Sequence, residues 1–316
     1  MKRYDAIEAV PHHRETAVTI GTFDGVHLGH RRIIEATVQK AKECGGRSVI
    51  ISFDPHPQHV LRPESPLALL TRTDEKAALL AEMGPDALLV LPFDRELAAL
   101  SPEEFVERVL VERLGVCHLV VGFDHAFGRG REGHHDNLAR LGQRYGFDVT
   151  VIPPVTVGDA PVSSTRIRRA LAQGRVDEAR RLLGRPFGLT ARIVRGEGLG
   201  RKMGFPTANL GLDASQLSLL ADGVYAVRAR VQNTSFLGMA NVGTRPSVQG
   251  RHRGVEVHLF DYQGDLYGQT LSVQFIERIR DEKRFDSTEV LVEQMKRDRV
   301  TSLGLLNKTQ YEGETP

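Results

Sequence analysis

Cysteine occurs only twice in this 316-residue sequence, at Cys44 and Cys117, and neither has a partner at metal-ligand spacing. That excludes a cysteine-rich zinc module or a disulfide-stapled scaffold, and two unpaired-looking thiols point to a reducing compartment. No apolar run approaches the roughly 20 residues of a membrane helix, and the polar start MKRYDAIEAV is followed by no apolar signal segment. The expectation is a cytoplasmic protein with no membrane partner. Charge of one sign is also lacking: Lys+Arg 42 against Asp+Glu 40 leaves a formal +2, so anion binding has to be local. Strands interleaving aromatic with basic residues are missing too, which weighs against an RNA-binding barrel and predicts no nucleic-acid partner. Internal repeats and low-complexity tracts do not occur, and GxxxxGK[ST] is absent.

What is present divides into two patterns, in a chain long enough for two cores. In the first half, SVIISF (48–53), ALLVLPF (87–93), HLVVGF (118–123) and DVTVIPPV (148–155) are short β-rich runs. Helical patterns at about 74–83, 102–113 and 136–145 separate them. This alternation predicts a doubly wound α/β domain with a parallel sheet covered on both faces, its ligand beyond the strand C-terminal ends where strand order reverses. Ahead of these runs stands GTFDGVHLGH, Gly21–His30, closing one apolar run and opening a helical pattern. Its glycines let the backbone approach a bound group, and a helix N-terminus there favours a phosphate. His27 and His30, three apart, share a face if the helix has begun by His27, and both can then donate to phosphate oxygens. Helix capping, or zinc binding with Asp24, are the competing readings, and zinc lacks its further ligands.

Three more strings lie at strand ends. FDPHP (Phe53–Pro57) offers His56 beside the pocket or forms an ordinary turn. GFDHAFG (Gly122–Gly128) holds Asp124 between aromatics, to accept from a ribose or adenine donor or to make its own turn. VSSTRIRRAL caps a helix with Ser163, Ser164 or Thr165 and carries Arg166 and Arg168 in its first turn, where cations are disfavoured unless an anion is bound.

Near GRPF (Gly184–Phe187) the pattern changes, which sets the expected boundary: one domain over 1–184, another over 185–316. Candidate strands at 188–195, 223–231, 236–243, 254–262 and 271–279, with one helix at 287–298 and a frayed tail NKTQYEGETP, predict an antiparallel β-barrel with a C-terminal helix. GEGLGRKMGFPTAN (Gly196–Asn209) is no dinucleotide fingerprint, because no helix is expected after it. It reads as a glycine-rich loop over phosphates, through Gly198, Gly200, Arg201 and Lys202, or as a glycine hairpin. Thr207 and Asn209 face the same way on an extended segment and can present two oxygens to Mg²⁺. In VEVHLFDY the period of two puts Val255, Val257 and Leu259 on one face and Glu256, His258 and Phe260 on the other.

Taken in order, the first-half strings resemble the HxGH nucleotidyltransferase superfamily, within it the adenylyltransferase half of prokaryotic bifunctional riboflavin kinase/FAD synthetases, over about 15–184. GFPTAN, NVGTRP (Asn241–Pro246), GVEVHLFDY and LYG (Leu266–Gly268) are similar to the riboflavin kinase half, over about 185–300. The resemblance implies two ATP-dependent reactions: phosphorylation of riboflavin to FMN, then adenylylation of FMN to FAD with release of pyrophosphate. It implies that Gly21, Phe23, Asp24, His27, His30, Asp124, Ser164, Thr165 and Arg168 form the ATP side of the second reaction. It also implies that Thr207 and Asn209 bind Mg²⁺, and that Glu256 contacts the ribityl hydroxyl as general base. His125 stands where the family more often has an aromatic residue, Ser247 where it usually has Thr; the roles of His125, His134 and His135 stay open, as does the oligomeric state. Two rivals are a nucleotidyltransferase for another small phosphate fused to a regulatory barrel, and an RNA-binding barrel.

Overall fold

The computed structural model describes residues 1–65, 67–124, 135–196, 198–247 and 250–311, with the side chains of 135, 199, 202, 245–247, 250–252 and 309–311 left outside that description. His125 and His134 therefore lie outside the described residues, as do the side chains of His135, Lys202 and Ser247. The chain forms two compact units, Met1–Ser164 and Thr165–Pro316.

In the first unit the chain runs β1 (Lys2–Tyr4), β2 (Thr16–Ile20), α1 (Leu28–Glu43), β3 (Arg47–Asp54), α2 (Pro57–Leu61), α3 (Thr73–Ala81) and β4 (Ala87–Pro92). It continues through α4 (Arg95–Ala99) and α5 (Pro102–Phe105), which passes into a π-helical stretch over Val106–Leu114. Then come β5 (Val116–Gly122), α6 (His135–Tyr145), β6 (Asp148–Ile152) and a small hairpin, β7 (Thr156–Val157) with β8 (Ala160–Pro161). The six-stranded sheet has the order β1-β4-β3-β2-β5-β6, and every pair is parallel. From β2 the chain steps through β3 to β4, then returns to the other side of β2 for β5. Strand order thus reverses between β2 and β5, which opens a crevice at their C-terminal ends.

Successive residues of one strand serve opposite faces, so Val49 and Ile51 join the core cluster of Val18, Leu89 and Leu119, while Ile50 joins Phe23, Val26, Ile34, Leu80 and Leu88. Every residue of β2 is buried, as a central strand covered on both faces requires. The three-residue edge strand β1 was not expected; it is too short to show a period.

The second unit begins with α7 (Ser164–Ala172, its first residue closing the first unit) and α8 (Val176–Leu183), which packs on the barrel strands β9 (Phe187–Val194) and β14 (Thr270–Arg280). Between these strands lie α9 (Leu199–Lys202), β10 (Ala208–Leu210), α10 (Ala214–Leu217), β11 (Gly223–Val231), β12 (Thr234–Ser247) and β13 (Gly250–Leu259), and α11 (Thr288–Tyr311) follows. The barrel closes in the order β10-β13-β12-β11-β14-β9, all pairs antiparallel.

Two expectations need correction. Helix α11 runs on to Tyr311 through the first half of the stretch read as a frayed tail, because Leu306 is fully buried against Ala226 and Ile276 and its carbonyl accepts from Arg228 Nη2 at 3.1 Å. A single helical turn, α9, does follow Gly196 and Gly198, with Gly198 as its N-cap at φ 70°. The period of two in β13 holds: Val255, Val257 and Leu259 are buried in the barrel, and Phe260 packs outside it with Phe205, Met239, Val292, Met295 and Leu303. Glu256 and His258 therefore lie on the outer face of the barrel, on the side α11 covers.

Candidate functional sites

The turn after β2 is held from within. Phe23 (φ 48°) and Val26 (φ 41°) sit in left-handed backbone that β-branched and bulky residues avoid, and burial of both side chains keeps them there. Asp24, 2% exposed, accepts backbone N–H bonds from Leu70 and Thr71, each at 3.1 Å, which ties the turn to the segment before α3. His27 is the N-cap of α1: the helix begins one residue later, and its Nδ1 accepts the His30 N–H at 3.3 Å. Nε2 then carries the proton of neutral His27. The two rings stack at 3.6 Å with 17° between planes, and the Phe23 ring meets His30 edge-on at 5.3 Å. A Cβ at Gly29 would come 3.2 Å from the His27 ring, tighter than an ordinary contact, so the ring would have to give way.

His30 Nδ1 is buried without a hydrogen-bond partner. Burial first, then His27 and the positive Lys76, hold the His30 imidazole well below the usual value near 6.5, so it is neutral at physiological pH. Lys76 was not singled out by the sequence. It is 6% exposed, and its Nζ donates to the Thr22 carbonyl and to Ser52 Oγ, both at 2.9 Å.

A cavity of about 480 Å³ opens at the crevice between β2 and β5. Gly21, Thr22, Phe23 and His30 line one part, Gly122 and Asp124 another, and Phe53, Phe93, Leu97, Leu100 and Phe105 form an apolar wall. From FDPHP it is Phe53 and Pro57 that line the cavity, while His56 Nδ1 caps α2 by accepting the Gln58 N–H at 3.1 Å. Ser164 Oγ donates to the Asp24 carbonyl at 2.8 Å. Thr165 and Arg168 belong to the second unit, and there Arg166 pairs with Glu178 at 3.3 Å, which supplies an anion for one of the two arginines in that first turn.

On the outer barrel face, Glu256 stands opposite Asn209 of β10 on one side and Asn241 of β12 on the other. Thr207 Oγ1 donates to Glu256 Oε2 at 3.1 Å. Gly200 is closed over by the Phe205 carbonyl and Thr207, and the Phe205 N–H returns to the Gly200 carbonyl at 2.8 Å. The Asn209 side chain lies against the backbone of Gly196. His258, placed by the sequence only on a face, donates from Nδ1 to the Pro206 carbonyl at 2.8 Å and so steadies the residue before Thr207.

Two cavities meet at Thr207. One, about 120 Å³, is lined by Gly198, Arg201, Pro206, Thr207 and Tyr267. The other, about 240 Å³, is lined by Thr207, Asn241, Glu256, His258, Arg280 and Met295. Behind it, Arg280 forks onto Asp298 at 2.7 to 3.1 Å, and Gln294 Nε2 completes that carboxylate at 2.8 Å.

Residues 9–166 match the FAD synthetase family model and residues 183–305 the riboflavin kinase model. The bifunctional riboflavin kinase/FMN adenylyltransferase of Pseudomonas fluorescens is 43% identical over 89% of this chain and 90% of its own length. Its namesake in Escherichia coli K12 is 42% identical over 90% and 91%, and that of Bacillus subtilis 35% identical over 92% and 94%. A crystal structure described as a macrolide-efflux protein from Streptococcus pneumoniae superposes with a TM-score of 0.84 at 32% identity, covering 95% of this chain and 97% of that one. That description speaks for that protein; among the described residues here, no helix is long and apolar enough to cross a membrane. With both family models matched in succession and relatives aligned over nine-tenths of its length, the chain belongs to the bifunctional riboflavin kinase/FMN adenylyltransferase family.

Proposed function

We propose that the two reactions of this family, phosphorylation of riboflavin by ATP to FMN and adenylylation of FMN by ATP to FAD, are divided between residues 185–316 and residues 1–184. The observation that carries this reading is the presence of one cavity-bound constellation in each unit: stacked His27 and His30 beside one cavity, Glu256 with Thr207 where two others meet.

In the kinase step, the cavity with Gly198 and Arg201 takes the nucleotide, and the cavity with Glu256 takes riboflavin. Thr207 lies between them, where the phosphoryl group passes. Glu256 orients the ribityl hydroxyl and accepts its proton late, because the transition state is loose and an ordinary carboxylate is too weak a base to hold an alkoxide. The neutral oxygens of Thr207 and Asn209, with the Glu256 carboxylate beside them, suit Mg²⁺, an oxygen-seeking ion that keeps waters and nucleotide phosphates as its other ligands. When bound it neutralises phosphate charge.

In the adenylyl step, the terminal phosphate of FMN attacks the α-phosphorus of ATP and pyrophosphate leaves. The apolar wall of Phe53, Phe93 and Leu100 takes the flavin rings, and the turn with its histidines takes phosphate. No protein bond to substrate is needed, so orientation and donors aimed at developing charge supply the catalysis. Gly21, Phe23, Asp24, Asp124 and Ser164 serve the nucleotide in this step; Gly198, Gly200, Arg201 and Lys202 serve it in the kinase step. The cytoplasm, where the thiols of Cys44 and Cys117 stay free, is the compartment that fits.

Substituting each constellation separately tests the assignment. His30→Ala should stop the pathway at FMN, and Glu256→Gln should stop it at riboflavin while added FMN still becomes FAD. Loss of FMN formation in His30→Ala, or loss of FAD formation from added FMN in Glu256→Gln, would refute the division.

A further inference from the structure

Lys76 is a buried cation that the roles above do not use. No carboxylate lies within ion-pair distance of it among the described residues; its two hydrogen bonds go to neutral oxygens, the Thr22 carbonyl and Ser52 Oγ. Asp24 and Asp54 are near enough to favour its charge, but Asp24 is spent on the Leu70 and Thr71 N–H groups and Asp54 accepts from Thr73 Oγ1 at 2.8 Å. Lys76 also lies in the fourth position of α3, close to a helix N-terminus, where the dipole opposes a cation. Burial, the dipole and the missing partner all act against this charge, and a buried ion without a mate is costly.

What the ammonium touches gives it a purpose. The Thr22 carbonyl accepts from Nζ at 2.9 Å and from Ser52 Oγ at 3.2 Å, and Thr22 precedes the left-handed Phe23 of the turn. The charge is felt at His30, whose Nδ1 is buried and unpartnered beside the cavity. A fixed positive charge, a strained turn and an unused nitrogen converge on one place, and the missing counter-charge is an anion.

We propose that Lys76 is a positioning residue for adenylyl transfer: its buried ammonium locks the Thr22 carbonyl, and with it the Gly21–His30 turn, and is completed electrostatically by the phosphate chain of bound ATP. This rests on the assignment of adenylyl transfer to the first unit. Being charged before the nucleotide arrives, Lys76 spares the site a reorganisation when charge develops. Its long stem is packed into the core, so the charge is delivered through a backbone carbonyl and through space.

The test uses the full-length protein and two measurements. In Lys76→Met, kcat/KM for ATP in FAD formation from FMN should fall about 100-fold, mainly through a higher KM for ATP. FMN formation from riboflavin by the same preparation should stay within about twofold, since Lys76 lies outside the second unit. A lysine that only packs the core would shift the melting temperature and leave that KM alone. FAD formation within about threefold of wild type overturns the proposal. Should the variant's first unit fail to fold, ¹⁵N spectra of the wild-type lysine side chains decide: a protonated, exchange-protected ammonium at pH 7 that moves on adding pyrophosphate supports it, and a neutral amine, or one indifferent to pyrophosphate, overturns it. A wild-type protein that makes no FAD from FMN would refute the functional assignment instead, and the pyrophosphate response would still report on Lys76.

Discussion

His27 does two jobs that a substitution can separate. Its Nδ1 caps α1 and its ring stacks on His30, so Ala removes both, whereas Asn keeps a capping oxygen and loses the ring. We expect His27→Asn to melt close to wild type yet lose about 10²-fold in FAD formation, while His27→Ala loses that and about 1 kcal/mol of first-unit stability. Thermal unfolding beside flavin assays checks both. His30 carries the pH prediction. Its folded-state pKa is depressed well below 6.5, so between those values the unfolded chain binds a proton that the folded one refuses. Its contribution is therefore complete above about pH 6.5 and is lost as pH falls below it. The melting temperature of the first unit should drop below pH 6.5, and His30→Asn should flatten that slope. FAD formation should show no His30 inflection between pH 6.5 and 8; one there would mean that the ring titrates and the burial argument is wrong.

Elements explain which parts of the site could be read in advance. β2, β3, β4 and β5 announce themselves as apolar runs, and with the glycine turn after β2 they are enough to foresee a parallel sheet with its crevice beyond the strand ends. Glu256 could be put on the correct face of β13 by period alone. Lys76 could not: TDEKAALLA is an ordinary helix start, and its burial depends on Thr22 and Ser52, 54 and 24 residues away. β10, three residues long, was hidden in a string read as a loop, and its strand pairing is what sets Asn209 opposite Glu256.

Gly29→Ala sets these scales against each other. Helix propensity favours Ala by about 1 kcal/mol, but the new Cβ would press on the His27 ring from 3.2 Å. Displacement of that ring should win, giving a folded protein with FAD formation reduced at least tenfold and FMN formation intact. Unchanged FAD formation would show that the stacked geometry is dispensable. In the second unit, Asp298→Ala strips the bidentate partner from Arg280, a pair in which Asp298 is 3% exposed and the Arg280 side chain 15%. Breaking such a pair costs about 3–5 kcal/mol. Denaturant unfolding should show that loss in the second unit, with FMN formation falling too, since Arg280 lines the cavity with Glu256. A loss below about 1 kcal/mol would mean the pair is solvated.

At the scale of the whole molecule, each reaction should survive alone if each unit keeps its own core. The compact units divide at Ser164, α8 packs on the barrel, and the family models leave 167–182 between them. The barrel piece therefore needs that helical segment: residues 165–316 should make FMN and stop, and residues 1–184 should turn FMN into FAD. The central claim, one site per reaction in one chain, is tested most directly by chromatography of flavins over time after mixing the protein with riboflavin, ATP and Mg²⁺. FMN should rise first and FAD follow, with His30→Ala accumulating FMN and Glu256→Gln yielding neither product until FMN is supplied. FAD formed by His30→Ala at the wild-type rate, or FMN formed by Glu256→Gln at the wild-type rate, would contradict the account.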